Sequence, residues 1–66
     1  MRQKKNRKLR NARNERCWSL AEAANEVGVS VQTYFRWEHG QQKPHPNSRR
    51  LLCKAFGVNN PKELGF

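Results

Sequence analysis

The sequence contains no long hydrophobic run, few acidic residues and only two cysteines. Its apolar stretches fall far short of the ~20 residues that a membrane-spanning helix needs. Its charged start also lacks the apolar segment of a signal peptide. We therefore expect a protein with no membrane span that works in the cytoplasm.

Cysteine and histidine are too scarce and too poorly spaced for a metal site. Cys17 and Cys53 would need histidines at ligand spacing to bind zinc, and neither His39 nor His45 is so arranged. A disulfide is possible in principle, whereas a reducing compartment favours two free thiols. The five carboxylates show no spacing with a nucleophile, and no glycine-rich loop is suited to hold a phosphate. The sequence therefore predicts no metal, no cofactor and no enzymatic activity.

Positive charge is what the sequence has in excess. Fourteen Lys and Arg stand against five Asp and Glu in 66 residues, which gives a net charge of +9. A small domain with this charge favours polyanions, with nucleic acid first and an anionic membrane surface second. The membrane surface is the weaker alternative, because the basic first helix has almost no apolar face.

The charged start leads into a chain whose pattern is helical throughout. Residues 1–5 are charged and polar, which predicts a flexible basic arm. Residues 6–66 form the domain itself. Its first helix is expected over 6–16, with a narrow buried stripe at Leu9 and Ala12.

Two short helices joined by a glycine turn follow. Ser19 and Glu22 fit a capping box that begins a second helix over 20–27. Gly28 ends this helix with a tight turn, and two alanines on its inner face let the next helix cross closely. This combination is typical of a helix-turn-helix motif.

The third helix has two unlike faces. It begins after the N-cap Ser30, covers about 31–39 and stops at Gly40. With 3.6 residues per turn, one face is suited to packing in the core: Thr33, Tyr34 and Trp37. The opposite face is available to a partner: Val31, Gln32, Phe35, Arg36 and His39.

A proline-containing loop leads to the last helical stretches. Pro46 is placed as the first residue of a fourth helix that runs to about Phe56. The predicted inner arc of this helix consists of Leu51, Leu52, Ala55 and Phe56. A last helical turn is expected to begin at Asn60.

Short motifs stand in a fixed order along the chain: Trp18-Ser19, Gly28-Val29-Ser30, Gln32-Thr33, Arg36-Trp37-Glu38 with Gly40, Pro44, and Leu52-Cys53 followed by Phe56-Gly57. Together they resemble the phage-repressor and Cro-like helix-turn-helix family, often called the XRE family, over roughly 9–66. The resemblance implies an all-α, compact five-helix repressor-like domain. Its third helix would enter the major groove of DNA, and its second helix would lie over the backbone.

The resemblance also implies two sets of DNA-contacting residues. Base contacts are expected from Val31, Gln32, Phe35 and Arg36. Glutamine pairs with adenine, arginine reaches guanine or a phosphate, and the apolar side chains suit a thymine methyl group. Phosphate contacts are expected from Ser19, Ser30, His39, Gln41 and Lys43.

Four further positions are notable in this resemblance. It implies a structural ion pair between Arg13 and Glu38 that ties the first helix to the third. Leu20 stands where many members carry a glutamine that binds phosphate, so either the basic arm offsets the loss or docking is weaker or differently oriented. Cys17 stands where the family usually has glycine, which indicates a turn that tolerates a side chain.

The sequence thus predicts a sequence-specific, double-stranded DNA-binding domain of a transcriptional regulator. So small a domain usually needs a second copy, and we expect a homodimer or paired binding on DNA. The chain is either a complete regulator or the N-terminal module of a longer protein. The alternative function is a protein-interaction module, antitoxin-like or adaptor, that grips a partner with Phe35 and the apolar end 64–66, and whose binding depends less steeply on salt.

Overall fold

A computed structural model describes residues 5–66, which form four α-helices and a short 3-10 turn. The helices are α1 (Arg7–Glu15), α2 (Leu20–Val27), α3 (Val31–Glu38) and α4 (Pro46–Phe56), and the 3-10 turn is Pro61–Leu64. No strand occurs in this part of the chain, so the all-α prediction is confirmed there. The arm predicted at residues 1–5 lies outside the described residues, apart from Lys5.

The predicted fifth helix is not an α-helix. Asn60 caps it by accepting a hydrogen bond from the amide of Lys62, and Gly65, with a φ of +83°, ends it directly after Leu64. The amides of Glu63 and Gly65 each donate to the carbonyl three residues earlier, which is the 3-10 pattern. The Gly65 amide also donates to the carbonyl of Pro61, four residues earlier, but the four-residue span is a 3-10 helix, so the count of five α-helices is not confirmed.

Short polar side chains determine where the first three helices begin. Asn6, Ser19 and Ser30 each accept a hydrogen bond from the amide three residues later, at 3.1, 3.1 and 3.2 Å. The predicted capping box of Ser19 and Glu22 is present. Each cap satisfies an amide that the first helical turn otherwise leaves unpaired.

The turn between α2 and α3 depends on a glycine. Gly28 has a φ of +91°, and both its amide and that of Val29 donate to the carbonyl of Ala24, at 2.8 and 3.0 Å. Ala23 and Ala24 are buried on the inner face of α2, which packs against α3. The small side chains therefore allow the close crossing that the sequence pattern predicts.

The turn after α1 places a non-glycine residue in the left-handed region. Cys17 has a φ of +57°, and its amide donates to the carbonyl of Asn14 at 3.0 Å. The amide of Trp18 donates to the carbonyl of Arg13 at 3.3 Å. These two bonds form a Schellman motif, in which glycine is the usual left-handed residue. The turn does tolerate a side chain, but in a conformation that costs about 1–2 kcal/mol for an L-residue.

All four helices and the 3-10 turn contribute to the core. Its buried apolar residues are Leu9, Ala23, Ala24, Val27, Tyr34, Trp37, Leu52, Phe56 and Leu64. The prediction for Leu51 was wrong, since it is 44% exposed. Because α4 packs mainly against α2 and the 3-10 turn, only the narrow strip of Leu52 and Phe56 is fully buried.

Arg13 and Glu38 join α1 to α3. The Arg13 Nε atom lies 2.6 Å from Glu38 Oε2, and an Arg13 terminal nitrogen donates to Glu38 Oε1 at 3.3 Å. The other terminal nitrogen donates to the carbonyl of Trp18 at 2.9 Å. The hydrogen bond that Arg13 donates to Glu38 raises the pKa of the Arg13 guanidinium above its ordinary value, so Arg13 is charged at neutral pH.

Two other residues, Asn6 and Tyr34, lie beside this pair. The amide of Asn6 donates to the carbonyl of Glu38 at 2.8 Å, while its side-chain nitrogen donates to the carbonyl of Leu64 at 2.7 Å. Tyr34 is fully buried, and its hydroxyl has no hydrogen-bond partner among the described residues. Burial raises the pKa of the Tyr34 phenol well above its ordinary value, and the negative charge of Glu38 adds to this effect.

Candidate nucleic-acid interface

The outward face of α3 carries the four residues predicted to contact bases. Val31 is 44% exposed and Phe35 38% exposed, and Gln32 and Arg36 are exposed beside them. These four residues and Gln41 line a shallow groove of about 380 Å³, here called the α3 groove. The buried side chains of Tyr34 and Trp37 hold the opposite face in the core. The helix is therefore fixed with its polar and apolar contact groups turned outward.

The end of α3 places His39 differently from the other predicted phosphate contacts. His39 is half-buried and its ring stacks on that of Phe35, with centroids 3.9 Å apart and planes 28° apart. Its amide donates to the Phe35 carbonyl at 3.0 Å. The imidazole is thus positioned primarily against a neighbouring aromatic ring.

The two predicted serine contacts stand at the starts of α2 and α3. Each hydroxyl oxygen already accepts a helix-capping hydrogen bond. The Ser30 hydroxyl also donates to Thr33 Oγ1 at 2.9 Å, so it would have to leave that acceptor to bind a phosphate. The Ser19 hydroxyl has no such acceptor within the described residues, which leaves its single proton available.

The loop after α3 brings the remaining predicted phosphate contacts beside the α3 groove. Gln41 and Lys43 are both exposed there. The only carboxylate between residues 31 and 62 is that of Glu38, which is 5% exposed and paired with Arg13. The face formed by α3 and its following loop therefore presents cations with no exposed carboxylate of its own.

Comparison with known proteins agrees with this geometry. The family described as helix-turn-helix matches residues 9–59, which include α2, the glycine turn and α3. The chain belongs to the XRE-type helix-turn-helix family. Proteins of this family are DNA-binding transcription regulators.

A relative with a named role supports this assignment of the helix-turn-helix domain. The chain is 39% identical over 51 residues to the cryptic phage CTXphi transcriptional repressor RstR of Vibrio cholerae. The aligned stretch covers 77% of this chain and 46% of that relative, so the chain spans about half of the relative's length. No solved structure gives a significant match. Within residues 5–66, no helix combines the length and apolar character needed to cross a membrane.

A second groove of this helix-turn-helix domain places Lys43 beside the basic residues near the start of α1, which are distant from it in the sequence. It has a volume of about 970 Å³ and lies between the start of α1, the loop after α3 and the C-terminal residues. Its basic lining residues are Lys5, Arg7, Lys8 and Lys43, and none of its lining residues is acidic. Gln41 lines the α3 groove, whereas Gln42 and Lys43 line this basic groove. The two grooves are therefore neighbours across one loop.

Two basic residues, one in α1 and one directly after it, make contacts within the fold. Arg13 is occupied by Glu38 and Trp18. Arg16 donates to the Phe56 carbonyl at the end of α4, and its guanidinium lies 5.3 Å from the Trp18 ring centroid and 5.8 Å from that of Phe56. A cation at a helix C-terminus satisfies carbonyls and complements the helix dipole. The resemblance implied the role of Arg13, whereas nothing in the sequence separated Arg16 from the arginines available to a ligand.

The apolar C-terminal end is less available than the protein-interaction alternative requires. Leu64 is 1% exposed and belongs to the core, so the prediction that it grips a partner was wrong. The 3-10 turn packs against both α1 and α4, which buries this side chain. Phe66 is half-buried and packs against the same core. Phe35 is then the main exposed aromatic group left to such a partner.

Proposed function

We propose that this domain binds double-stranded DNA in a sequence-specific manner, with α3 in the major groove, as part of a transcriptional regulator. The observation that carries the proposal is the outward face of α3. It combines exposed hydrogen-bonding and apolar side chains on a helix whose only carboxylate, that of Glu38, is buried, while the opposite face is packed in the core. The major groove is wide enough for a helix and displays distinct donors, acceptors and methyl groups for each base pair.

Each residue of the α3 groove has a role that its chemistry supports. Gln32 is suited to accept from and donate to the edge of adenine, and Arg36 to donate two hydrogen bonds to guanine or one to a phosphate. Val31 and Phe35 offer apolar surface to thymine. Hydrogen bonds to base edges give sequence selectivity, whereas contacts to the backbone fix the register.

Phosphate contacts would surround this helix on both sides. Ser19 and Ser30 stand at helix N-termini, where backbone amides favour an anion. Gln41 and Lys43 lie after the end of α3, whereas the His39 ring stacks on Phe35. The basic groove extends the cationic surface beyond the loop and offsets the missing glutamine at Leu20. Counterion release at these cations would provide the first, non-selective capture of DNA.

A single domain of this size would cover one half-site. Its longest dimension is 32 Å, close to one turn of the DNA duplex. We propose that two copies bind neighbouring half-sites, whether or not further domains join them. The relative's role as a transcriptional repressor supports a role of this chain in transcription control.

Selection of DNA sites from a randomised duplex library tests the proposal. Wild type, Gln32→Ala and Arg36→Ala would be compared across a salt series, with Arg50→Ala on α4 as a control that removes the same side chain from a different exposed helix. We expect an enriched motif, and loss of about 1–3 kcal/mol of discrimination at one base pair for each α3 variant. Arg50→Ala should leave the motif unchanged.

The salt dependence provides a separate test of the phosphate contacts. Replacing Lys43 or Lys8 with alanine should weaken binding to all sequences alike. It should also reduce by about one the slope of the logarithm of the binding constant against the logarithm of the salt concentration. Binding that is unselective, steeply salt-dependent and unaffected by Gln32→Ala and Arg36→Ala would contradict base reading by α3. The surface would then be an electrostatic one, and the function would have to be sought in a protein partner.

A further inference from the structure

The outward face of α3 is divided into two rows. Val31, Phe35 and His39 follow one another at four-residue spacing and form an apolar and aromatic row. Gln32 and Arg36 form a polar row beside it. The Phe35 and His39 rings stack at 3.9 Å with only 28° between their planes, so the imidazole covers one side of the phenyl ring.

The stack restricts an exposed ring that would otherwise change rotamer freely. Phe35 remains 38% exposed and lines the α3 groove together with Val31. Since the ring is already held in the free protein, less conformational entropy remains to be lost when a ligand covers it. A preorganised apolar surface of this kind is suited to a small apolar group at a fixed place in the ligand.

The residues around Phe35 indicate which kind of ligand could carry this small apolar group. Arg36 and Gln41 line the same groove, and no carboxylate does. A ligand that is anionic or polar around a small apolar feature fits this lining. In the major groove of DNA the one apolar feature is the 5-methyl group of thymine. RNA lacks this methyl group in uracil, and its major groove is too deep and narrow for a helix.

We propose that Phe35, held by its stack on His39, reads the methyl group of a thymine in the binding site. His39 is then a positioning residue that acts through Phe35, and it is not primarily a phosphate ligand. Val31, one helical turn earlier, extends the same apolar row towards a neighbouring base pair. The inference rests on the proposed function, which already gives Phe35 a thymine contact, and adds to it the positioning role of His39.

Replacing thymine with deoxyuridine tests this directly, because the exchange removes one methyl group and leaves the base pairing intact. Each thymine of the selected site would be replaced in turn, and the dissociation constants of the matched duplexes compared. Burial of one methyl group corresponds to about a fourfold change in affinity. We expect about this loss at the thymine under Phe35, and we expect Phe35→Ala to abolish the difference between the two duplexes.

Two variants of His39 distinguish positioning from phosphate binding. His39→Ala removes the stack, so the dissociation constants for the thymine and uracil duplexes should become nearly equal. His39→Phe keeps a stacked ring and should preserve the ratio of the two constants. If His39 instead binds phosphate, both variants weaken the two duplexes equally. Leu51→Ala is the control, since Leu51 is as exposed as Val31 but lies on α4. It should leave the ratio unchanged.

The outcomes separate this inference from the function on which it rests. If no sequence is selected, the proposed function fails. If a sequence is selected and no thymine-to-uracil exchange changes affinity, or if the site has no thymine, only the reading of a methyl group is overturned. Circular dichroism of each variant would establish that it is folded. If His39→Ala destabilises the end of α3, the comparison of the two duplexes with Phe35→Ala still tests whether Phe35 reads the methyl group.

Discussion

Removal of Arg13 should destabilise this domain more than any change on its surface. Glu38 is 5% exposed, and its carboxylate oxygens are held by Arg13 at 2.6 and 3.3 Å. Arg13→Met keeps much of the side-chain volume but leaves a buried carboxylate without its cation, and the Trp18 carbonyl without a donor. Breaking a buried pair from one side costs about 3–5 kcal/mol. The whole domain has roughly 3–10 kcal/mol of stability for its length.

Urea unfolding followed by circular dichroism measures this loss. With a slope of about 1 kcal/mol per molar urea, a loss of about 3 kcal/mol moves the midpoint by about 3 M. Arg10→Met is the matched control, because Arg10 lies on the same helix and is exposed. Its midpoint should change little, since exposed substitutions usually stay within about 0.5 kcal/mol.

A double variant tests the physical reason for the loss. Arg13→Met together with Glu38→Met removes both charges, so no buried charge remains unpaired and much of the lost stability should return. Glu38→Gln alone should cost less than Arg13→Met. The Arg13 side chain is 14% exposed and can retain some water, whereas that of Glu38 is 4% exposed. A loss of less than about 1 kcal/mol in the free energy of unfolding for Arg13→Met would refute this reasoning. So would a double variant that is less stable than both single variants.

Three further expectations, which cover four substitutions, concern the stability of the domain. Tyr34→Phe should stabilise the domain by about 1 kcal/mol, because the hydroxyl is buried without a partner among the described residues. Since the folded state raises the pKa of this phenol, wild-type stability should fall as the pH rises above about 10, and the variant should lose less. Cys17→Gly should add about 0.5–1 kcal/mol by relieving the left-handed backbone. Gly65→Ala should cost about 2 kcal/mol, because its Cβ would overlap the capping oxygen of Asn6, whereas Gly28→Ala meets no atom and should cost about 1 kcal/mol.

Thermal and urea unfolding at several pH values would check these three expectations. A destabilised Tyr34→Phe variant would indicate that the hydroxyl makes a bond within the fold. A destabilised Cys17→Gly variant would mean that the thiol contributes more than the backbone strain costs. Equal losses for Gly65→Ala and Gly28→Ala would show that the overlap with Asn6 is relieved at no cost.

Local sequence predicted the helices well because their ends are local structures. A cap needs a serine or asparagine and an amide three residues away, so Ser19 and Ser30 identify the starts of α2 and α3 without any tertiary information. The faces of α3 follow in the same way from helical spacing, and the structure buries Tyr34 and Trp37 as the spacing predicts.

Predictions failed where a helix meets the rest of the fold. Leu51 and Leu52 are neighbours with the same chemistry, and the position of α4 against α2 buries only the second. Leu64 is buried for a related reason, because the 3-10 turn folds back onto α1 and α4. Spacing indicates which residues share a face but does not fix how wide the buried strip is.

The sequence by itself determined the helices, their caps, the two faces of α3 and the excess of positive charge, because these follow from composition and from contacts within one helical turn. Only the tertiary structure decided which charges remain free. Arg16 binds the carbonyl at the end of α4, Lys43 lines one groove with Lys5 and Lys8, and Glu38 is buried away from the outward face of α3. These arrangements depend on packing between segments distant in the chain, which local propensities do not encode.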